Sequence, residues 1–368
     1  APQNGGYLLC RMVLATFIPR IMVVGWALVN YIDQTGSLTR RVLVLGSGPL
    51  AVKIEGLCNR HRDRSLTVAG YVHLGTPPET THGTESRRVP NRRNDYWLPP
   101  EHLPAFCLEH DIDELVVATK ERRGLPMRDL LACKLAGISI NEFSSFWERE
   151  CRQIDLDEVS PSWLGFSDGF QVGRVRSFIK RLFDIVVSAL LLTLSLPITL
   201  LTAFLIKLES PGQVFYRQER VGLGGKPYNI LKFRSMRADA EKDGPRWASR
   251  NDSRVTKVGA IIRKLRIDEI PQVINVLKGE MAFVGPRPER PVFVAALSDK
   301  IPYYNERHII KPGITGWAQI NYPYGATEED AKMKLSYDLY YAKNGDIFMD
   351  ILIIIQTVKV LLWNSGAR

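Results

Sequence analysis

The sequence predicts an α/β chain in several parts: an N-terminal membrane helix segment, a parallel α/β domain, and a second, monotopic α/β domain containing a re-entrant membrane helix hairpin. Three observations predict it. Between residues 41 and 140 short apolar runs alternate with helical stretches, the pattern of a parallel sheet with crossover helices. From Ile185 to Ile206 the chain is almost wholly apolar, long enough for a bilayer, yet it carries Pro197 in its middle. Strand-like pieces then resume at Phe215 to Gly222 and Asn229 to Met236. Length agrees, because 368 residues exceed a usual single domain.

The net charge of +10 favours an anionic partner, whether nucleic acid, anionic lipid or a phosphorylated substrate. Five cysteines without a Cys-x-x-Cys pair argue against a closed disulfide framework and for reduced, packed thiols in a cytoplasmic environment. Six histidines show no metal-ligand spacing, so no zinc site is expected.

Tyr7 to Ile32 has few polar residues but is interrupted by Arg11 and Pro19-Arg20, and lacks a clear signal-peptide cleavage site. It reads as membrane-embedded or interfacial helix over residues 1–38, the expected end of a larger helical bundle. Arg41 to Gly46 then reads as a buried strand, and Gly46-Ser47-Gly48-Pro49-Leu50-Ala51 turns it into a helix reaching about Asn59. Thr67 to Val72, Ile112 to Ala118 and Ile138 to Ile140 read as further strands, with Leu125 to Ala136 a crossover helix. The Gly46, Gly48 and Ala51 spacing fits a Rossmann-like dinucleotide turn, but the second strand ends in Val72-His73, without the acidic residue that would hold a ribose. A tight strand-to-helix turn is the favoured reading of those glycines. This domain is placed at residues 39–150. Arg87-Arg88 and Arg92-Arg93 fall in one of its loops, as a solvated face or a contact for anionic headgroups.

Residues 151–177 carry Gly, Ser, Asp and Pro without sustained periodicity and are read as a linker. The second domain occupies 178–368. Lys180 and Arg181 precede its apolar run while Lys207, Arg217 and Arg220 follow. With both cationic flanks on the cytoplasmic side, the helix enters and returns through one leaflet at 183–207, broken around Ser195 and Pro197. A full span or a buried core helix are the alternatives.

Arg217, Arg220, Lys232 and Arg234 cluster in the two strand-like pieces, which suits a phosphate-facing surface as well as solvent. Further on, Arg266-Ile267-Asp268-Glu269-Ile270-Pro271-Gln272 precedes apolar residues at helical spacing, making Asp268 a natural helix N-cap with Pro271 in the first turn. A carboxylate there is held ionised by the helix dipole, which also suits a nucleophile or metal ligand. In Gly285-Pro286-Arg287-Pro288 two prolines restrict the backbone around Arg287, whose planar fork can grip phosphate.

From Ser177 onward these residues resemble the monotopic polyprenyl-phosphate phosphoglycosyl transferases, the bacterial sugar transferase family. Lys180-Arg181-Leu182-Phe183-Asp184, the Pro197 break, Lys232-Phe233-Arg234-Ser235-Met236, Asp268-Glu269-Ile270-Pro271-Gln272, Gly285-Pro286-Arg287-Pro288 and Lys311 to Gln319 all fit in order. The preceding parts resemble the family's large subgroup, with membrane segments and a Rossmann-like domain. The resemblance implies transfer of a sugar 1-phosphate from a UDP-sugar to undecaprenyl phosphate, releasing UMP, on the cytoplasmic face of the bacterial inner membrane. It implies that Asp268 is the nucleophile, that Glu269 holds Mg²⁺ with Asp268 or orients the dyad, and that Arg287 binds phosphate. Lys232, Arg234 and Arg266 are further phosphate or membrane contacts. Homodimerisation and contact with membrane lipids are expected, and nucleic acid is not. After Asn321 this chain continues Tyr322-Pro323-Tyr324-Gly325-Ala326 where many relatives have Gly and a basic residue, a variant resembling an exopolysaccharide branch. The competing readings are a dinucleotide-dependent sugar-modifying enzyme and a membrane-bound regulatory protein. The apolar run Phe348 to Trp363, interrupted by Asp350, Gln356 and Lys359, reads as an interfacial amphipathic helix or a core helix.

Overall fold

The computed structural model describes residues 39–46, 48–60, 66–74, 95–120, 124–159, 161–170, 173–237, 240, 252–323, 325 and 327–363. The expected membrane segment at 1–38 and the arginine pairs at 87–88 and 92–93 lie outside them. The chain divides into two compact units, Ala1–Trp147 and Glu148–Arg368.

The first unit is built on strand β1 (Arg40–Leu45), helix α1 (Pro49–Arg60), β2 (Leu66–Leu74), β3 (Asp95–Leu98), α2 (Leu103–Glu109), β4 (Glu114–Val117), α3 (Met127–Leu135) and β5 (Ser139–Glu142). All pairings are parallel and the order is β3-β2-β1-β4-β5. The central strands therefore carry continuous apolar runs rather than alternation: Val42 to Leu45 and Leu115 to Val117 are buried, and Leu43, Leu45, Val72, Leu115 and Val117 join Leu103, Leu130 and Ile138 in one core. The strand order reverses between β1 and β4. There Gly46, at φ +116°, has no room for a side chain, because a Cβ would sit 2.9 Å from the Ala118 carbonyl oxygen.

Helix α4 (Phe143–Cys151) runs through the division, and α5 (Pro161–Phe166) follows. The second unit then consists of α6 (Arg174–Glu209), β6 (Phe215–Val221), β7 (Pro227–Phe233), α7 (Lys257–Lys264), α8 (Gln272–Lys278), β8 (Ala282–Val284), α9 (Pro291–Ser298), β9 (Gly313–Thr315), α10 (Trp317–Asn321), α11 (Glu328–Asn344) and α12 (Ile347–Trp363). Strands β6 and β7 form an antiparallel hairpin, while β8 and β9 pair in parallel. Ile154, within the stretch read as linker, packs into a core with Val221, Val294, Tyr304, Leu335 and Leu339.

Helix α6 is 36 residues long and includes Pro197. It is the one described helix long and apolar enough to cross a membrane. Its apolar side chains are largely exposed, Leu190, Leu194, Leu200, Leu201 and Phe204 among them. Helix α12 is apolar on both faces: Ile353 is buried in a core with Phe283, Val284, Trp317 and Tyr341. Phe348, Ile355 and Val358 face outward, whereas Asp350 is 1% exposed and accepts hydrogen bonds from Lys180 Nζ (2.7 Å) and the Tyr341 hydroxyl (2.5 Å). Buried carboxylates need such partners, so this one ties α12 to α6 and α11.

Candidate active site

Asp268 lies not at a helix N-cap but inside a separate 3₁₀ turn, Ile267–Glu269, that precedes α8. The sequence-based capping assignment is corrected here for a local reason. Arg266 adopts a left-handed conformation (φ +57°), the Glu269 amide closes onto the Arg266 carbonyl, and α8 begins only after Pro271, with no side-chain cap. Residue Asp268 is 8% exposed, and its carboxylate accepts no hydrogen bond among the described residues, its oxygens remaining open to solvent.

Glu269 points to a different set of groups. Lys232 Nζ donates to its Oε1 at 2.8 Å and Arg287 Nη2 lies 3.6 Å from the same oxygen. Lys232 reaches it because β7 is pinned to α8 by buried Asn275: its Oδ1 accepts from the Leu231 amide (2.9 Å) and its Nδ2 donates to the Asn229 carbonyl (2.8 Å). Arg287 comes from the loop after β8. An open pocket beside this cluster is lined by Arg220, Lys232, Glu269, Gln272, Arg287 and Gly313.

These surroundings push the two adjacent carboxyls apart. Burial and the charge of Glu269 raise Asp268 above its ordinary value, against the pull of Lys232, Arg263 and Arg266. Burial acts on Glu269 too, but the charges of Lys232 and Arg287 outweigh it and hold this carboxyl at about 2. The expectation that a helix dipole keeps Asp268 strongly ionised is overturned: no helix begins at Asp268, and desolvation dominates. A carboxyl pair split in this way supports two roles, one basic and weakly solvated, one permanently charged.

Arg266 acts on the pair through its charge. Arg234 is engaged elsewhere: its guanidinium donates to the Ser210 hydroxyl and carbonyl and to the Pro211 carbonyl, at the exit of α6. Ser195 is buried within α6, and its hydroxyl donates to the Leu192 carbonyl at 3.4 Å. Sequence reading gives no individual site role to Gln272 or Gly313, and places Arg220 only within a cluster of four cations that suits phosphate or solvent. For Arg220 a signal was present, since strand alternation puts it and Arg217 on opposite faces of β6, so that only one of them can turn inward.

Among the described residues no three His, Cys, Asp or Glu side chains are grouped so that they could hold a metal ion by themselves. Two adjacent carboxylates beside a cation-lined pocket are nevertheless a donor set that suits Mg²⁺, which commonly takes one or two protein carboxylates and completes its shell with water and substrate phosphates.

The family model described as bacterial sugar transferase matches residues 175–364, the segment that holds all these groups. The chain belongs to the bacterial sugar transferase family. It is 43% identical over 241 residues to a UDP-N-acetylgalactosamine-undecaprenyl-phosphate N-acetylgalactosaminephosphotransferase of Aeromonas hydrophila, covering 66% of this chain and 56% of the relative. An undecaprenyl-phosphate glucose phosphotransferase of Komagataeibacter xylinus is 32% identical over 364 residues, 96% of this chain and 65% of the relative. A UDP-glucose:undecaprenyl-phosphate glucose-1-phosphate transferase of Caulobacter vibrioides is 38% identical over 267 residues, 67% of this chain and 99% of the relative. The chain thus spans under two thirds of the length of the first two.

Proposed function

We propose that this protein transfers a sugar 1-phosphate from a UDP-sugar to undecaprenyl phosphate, as an initiating step of exopolysaccharide or glycan assembly at the cytoplasmic face of a bacterial inner membrane. The observation that carries this is the Asp268 carboxylate, nearly buried and without a hydrogen-bond donor, beside the Lys232–Glu269–Arg287 cluster. A carboxylate with reduced solvation and no donor is a better nucleophile than a fully solvated one. Its oxygen attacks the sugar-bearing phosphorus, the bond to the bridging oxygen breaks, and UMP leaves, giving an aspartyl phosphosugar. An oxygen of undecaprenyl phosphate then attacks the same phosphorus and releases the Asp268 carboxylate, forming undecaprenyl-diphosphate-sugar. Arg287 and Lys232 neutralise phosphate charge, and Glu269 keeps both cations aimed at the pocket. Mg²⁺ held by Asp268 and Glu269 would supply further charge neutralisation. The relatives' names carry both N-acetylgalactosamine and glucose, so the family leaves the sugar open.

Incubating the protein with UDP-glucose or UDP-N-acetylgalactosamine labelled in the sugar phosphate, without lipid acceptor, should leave label on the protein and release UMP. Turnover with acceptor but no trapped label would favour direct transfer. The acid limb of adduct formation should belong to Asp268 and lie above the ordinary aspartate value, because Glu269 stays ionised down to about 2. Lys232→Met removes the cation that pulls Asp268 down most, so the rate should begin to fall at higher pH than in the wild type. An unmoved limb would assign it to another group.

A re-entrant α6 is part of the same proposal. Near its start Arg181 donates to the Val276 and Leu277 carbonyls and Asp184 accepts from the Phe283 amide. Near its end Ile206 packs on Phe233 and Ile262, and Glu209 accepts from the Val258 amide. A straight helix would set Arg181 and Ile206 about 38 Å apart. Their partners Val276 and Phe233 lie within two residues of the single Leu231–Asn275 hydrogen bond, which favours a bend at Pro197. In a cysteine-free background, Ser177→Cys and Ser210→Cys should be labelled from the same side of sealed vesicles; labelling from opposite sides would replace the hairpin with a span.

A further inference from the structure

The loop that carries Arg287 is held by its carbonyls. Pro286 and Pro288 lack N–H groups, and four consecutive carbonyl oxygens accept bonds from three places in the fold: the Gly313 loop, Arg307, and the end of β6. The Gly313 amide donates to Pro286 (2.9 Å), Arg307 Nη2 to Arg287 (3.0 Å), Arg220 Nη1 to Pro288 (3.0 Å) and the Val221 amide to Glu289 (3.0 Å). Arg307 is the one of these that bonds the peptide of Arg287 itself. It is 5% exposed, and its guanidinium is fixed in turn by Asp338 Oδ2 at 2.6 Å and by the Tyr304 hydroxyl at 2.7 Å. Asp338, 2% exposed, lies on α11, behind the loop. A buried ion pair of this kind is weak as a source of stability, since apolar residues of equal volume commonly do as well. What such a pair supplies is a fixed position for its remaining donor.

We propose that Arg307 and Asp338 are positioning residues for sugar-phosphate transfer, acting on the reaction only through Arg287 by locking its carbonyl and hence the aim of its guanidinium. The proposal rests on the reading of Arg287 as a phosphate ligand. Misplacement of such a group by about 1 Å costs on the order of a hundredfold in rate. Lysine at position 307 keeps the charge near Asp338 but cannot span Asp338, Tyr304 and the Arg287 carbonyl at once.

The test is a double-mutant cycle on single-turnover adduct formation, using whichever of UDP-glucose and UDP-N-acetylgalactosamine labels the wild type. Arg307→Lys should slow the wild-type step about 10- to 100-fold, lowering kcat with little change in KM. In an Arg287→Ala background the same change should cost less than about twofold. Equal losses in both backgrounds would overturn the positioning role and leave Arg307 a general structural residue. Should Arg307→Lys fail to accumulate as folded protein, Asp338→Asn, which preserves side-chain volume, runs the same cycle with the same two outcomes. Full activity of Arg287→Ala alone would refute the phosphate-ligand reading and this proposal together, whereas loss of activity there with equal losses in the cycle refutes positioning only.

Discussion

Asp268→Asn should give a folded protein that traps no phosphosugar and turns over at least about a thousandfold more slowly than the wild type. Asparagine has nearly the size of aspartate, and the Asp268 carboxylate accepts no hydrogen bond among the described residues, so the exchange deletes no cap and opens no cavity. It also removes a carboxyl whose ionisation burial opposes, so the melting temperature should hold or rise slightly. What is lost is the anionic oxygen that attacks phosphorus, and an amide has no comparable nucleophile. The measurement is the labelled-donor experiment without acceptor, followed by turnover with undecaprenyl phosphate. Intact mass before the assay guards against deamidation back to aspartate. Label on the variant, or turnover within tenfold of wild type, would remove Asp268 from the chemistry and leave it as a neighbour that tunes Glu269.

The sequence was most legible where the physics is local. Periodicity and glycine punctuation located β1, α1, β2, β4, α3 and β5, because a parallel sheet buried on both faces writes itself as short apolar runs. Strand β3 was missed: Asp95–Leu98 has four residues, none of them fully buried, and no alternation to read. Asp268 and Glu269 were legible as a pair, but not their division of labour. That depends on Lys232, 37 residues away from Glu269, and on Arg287, which reaches Glu269 from the loop after β8. Arg234 sits in the same cationic motif as Lys232, yet its guanidinium serves the exit of α6, a difference fixed by Ser210 and Pro211 rather than by its neighbours in sequence. Asp350 reads in sequence as one of three polar interruptions of an apolar run. Its partner Lys180 is 170 residues away, and no local pattern announces it.

Gly285→Ala should be strongly destabilising, and it should cost activity beyond the loss of folded protein. The reason is space rather than backbone conformation. A Cβ at Gly285 would stand 2.4 Å from the Lys311 carbonyl oxygen and 2.9 Å from the Gly313 amide nitrogen, and one at Gly313 would stand 2.1 Å from the Gly285 amide nitrogen. Two bare backbones are in contact where β8 runs beside β9, with the Gly285 amide donating to Thr315 at 2.9 Å. This explains why Gly285-Pro286-Arg287-Pro288 and Lys311-Pro312-Gly313 work as one piece although 22 residues separate them. Backbone cannot rotate aside as a side chain does, so the methyl forces the strands apart, at a cost of about 3 kcal/mol or more. For a unit of this size that corresponds to a fall of roughly 6–12 °C in melting temperature. The Gly313 bond to the Pro286 carbonyl stretches in the same movement, and Arg287 goes with it. Below the variant's melting point, adduct formation per folded molecule should therefore still fall at least about tenfold. A melting temperature within 2 °C of wild type would show that the two loops separate freely, and with that the rigid placement of Arg287 would fail.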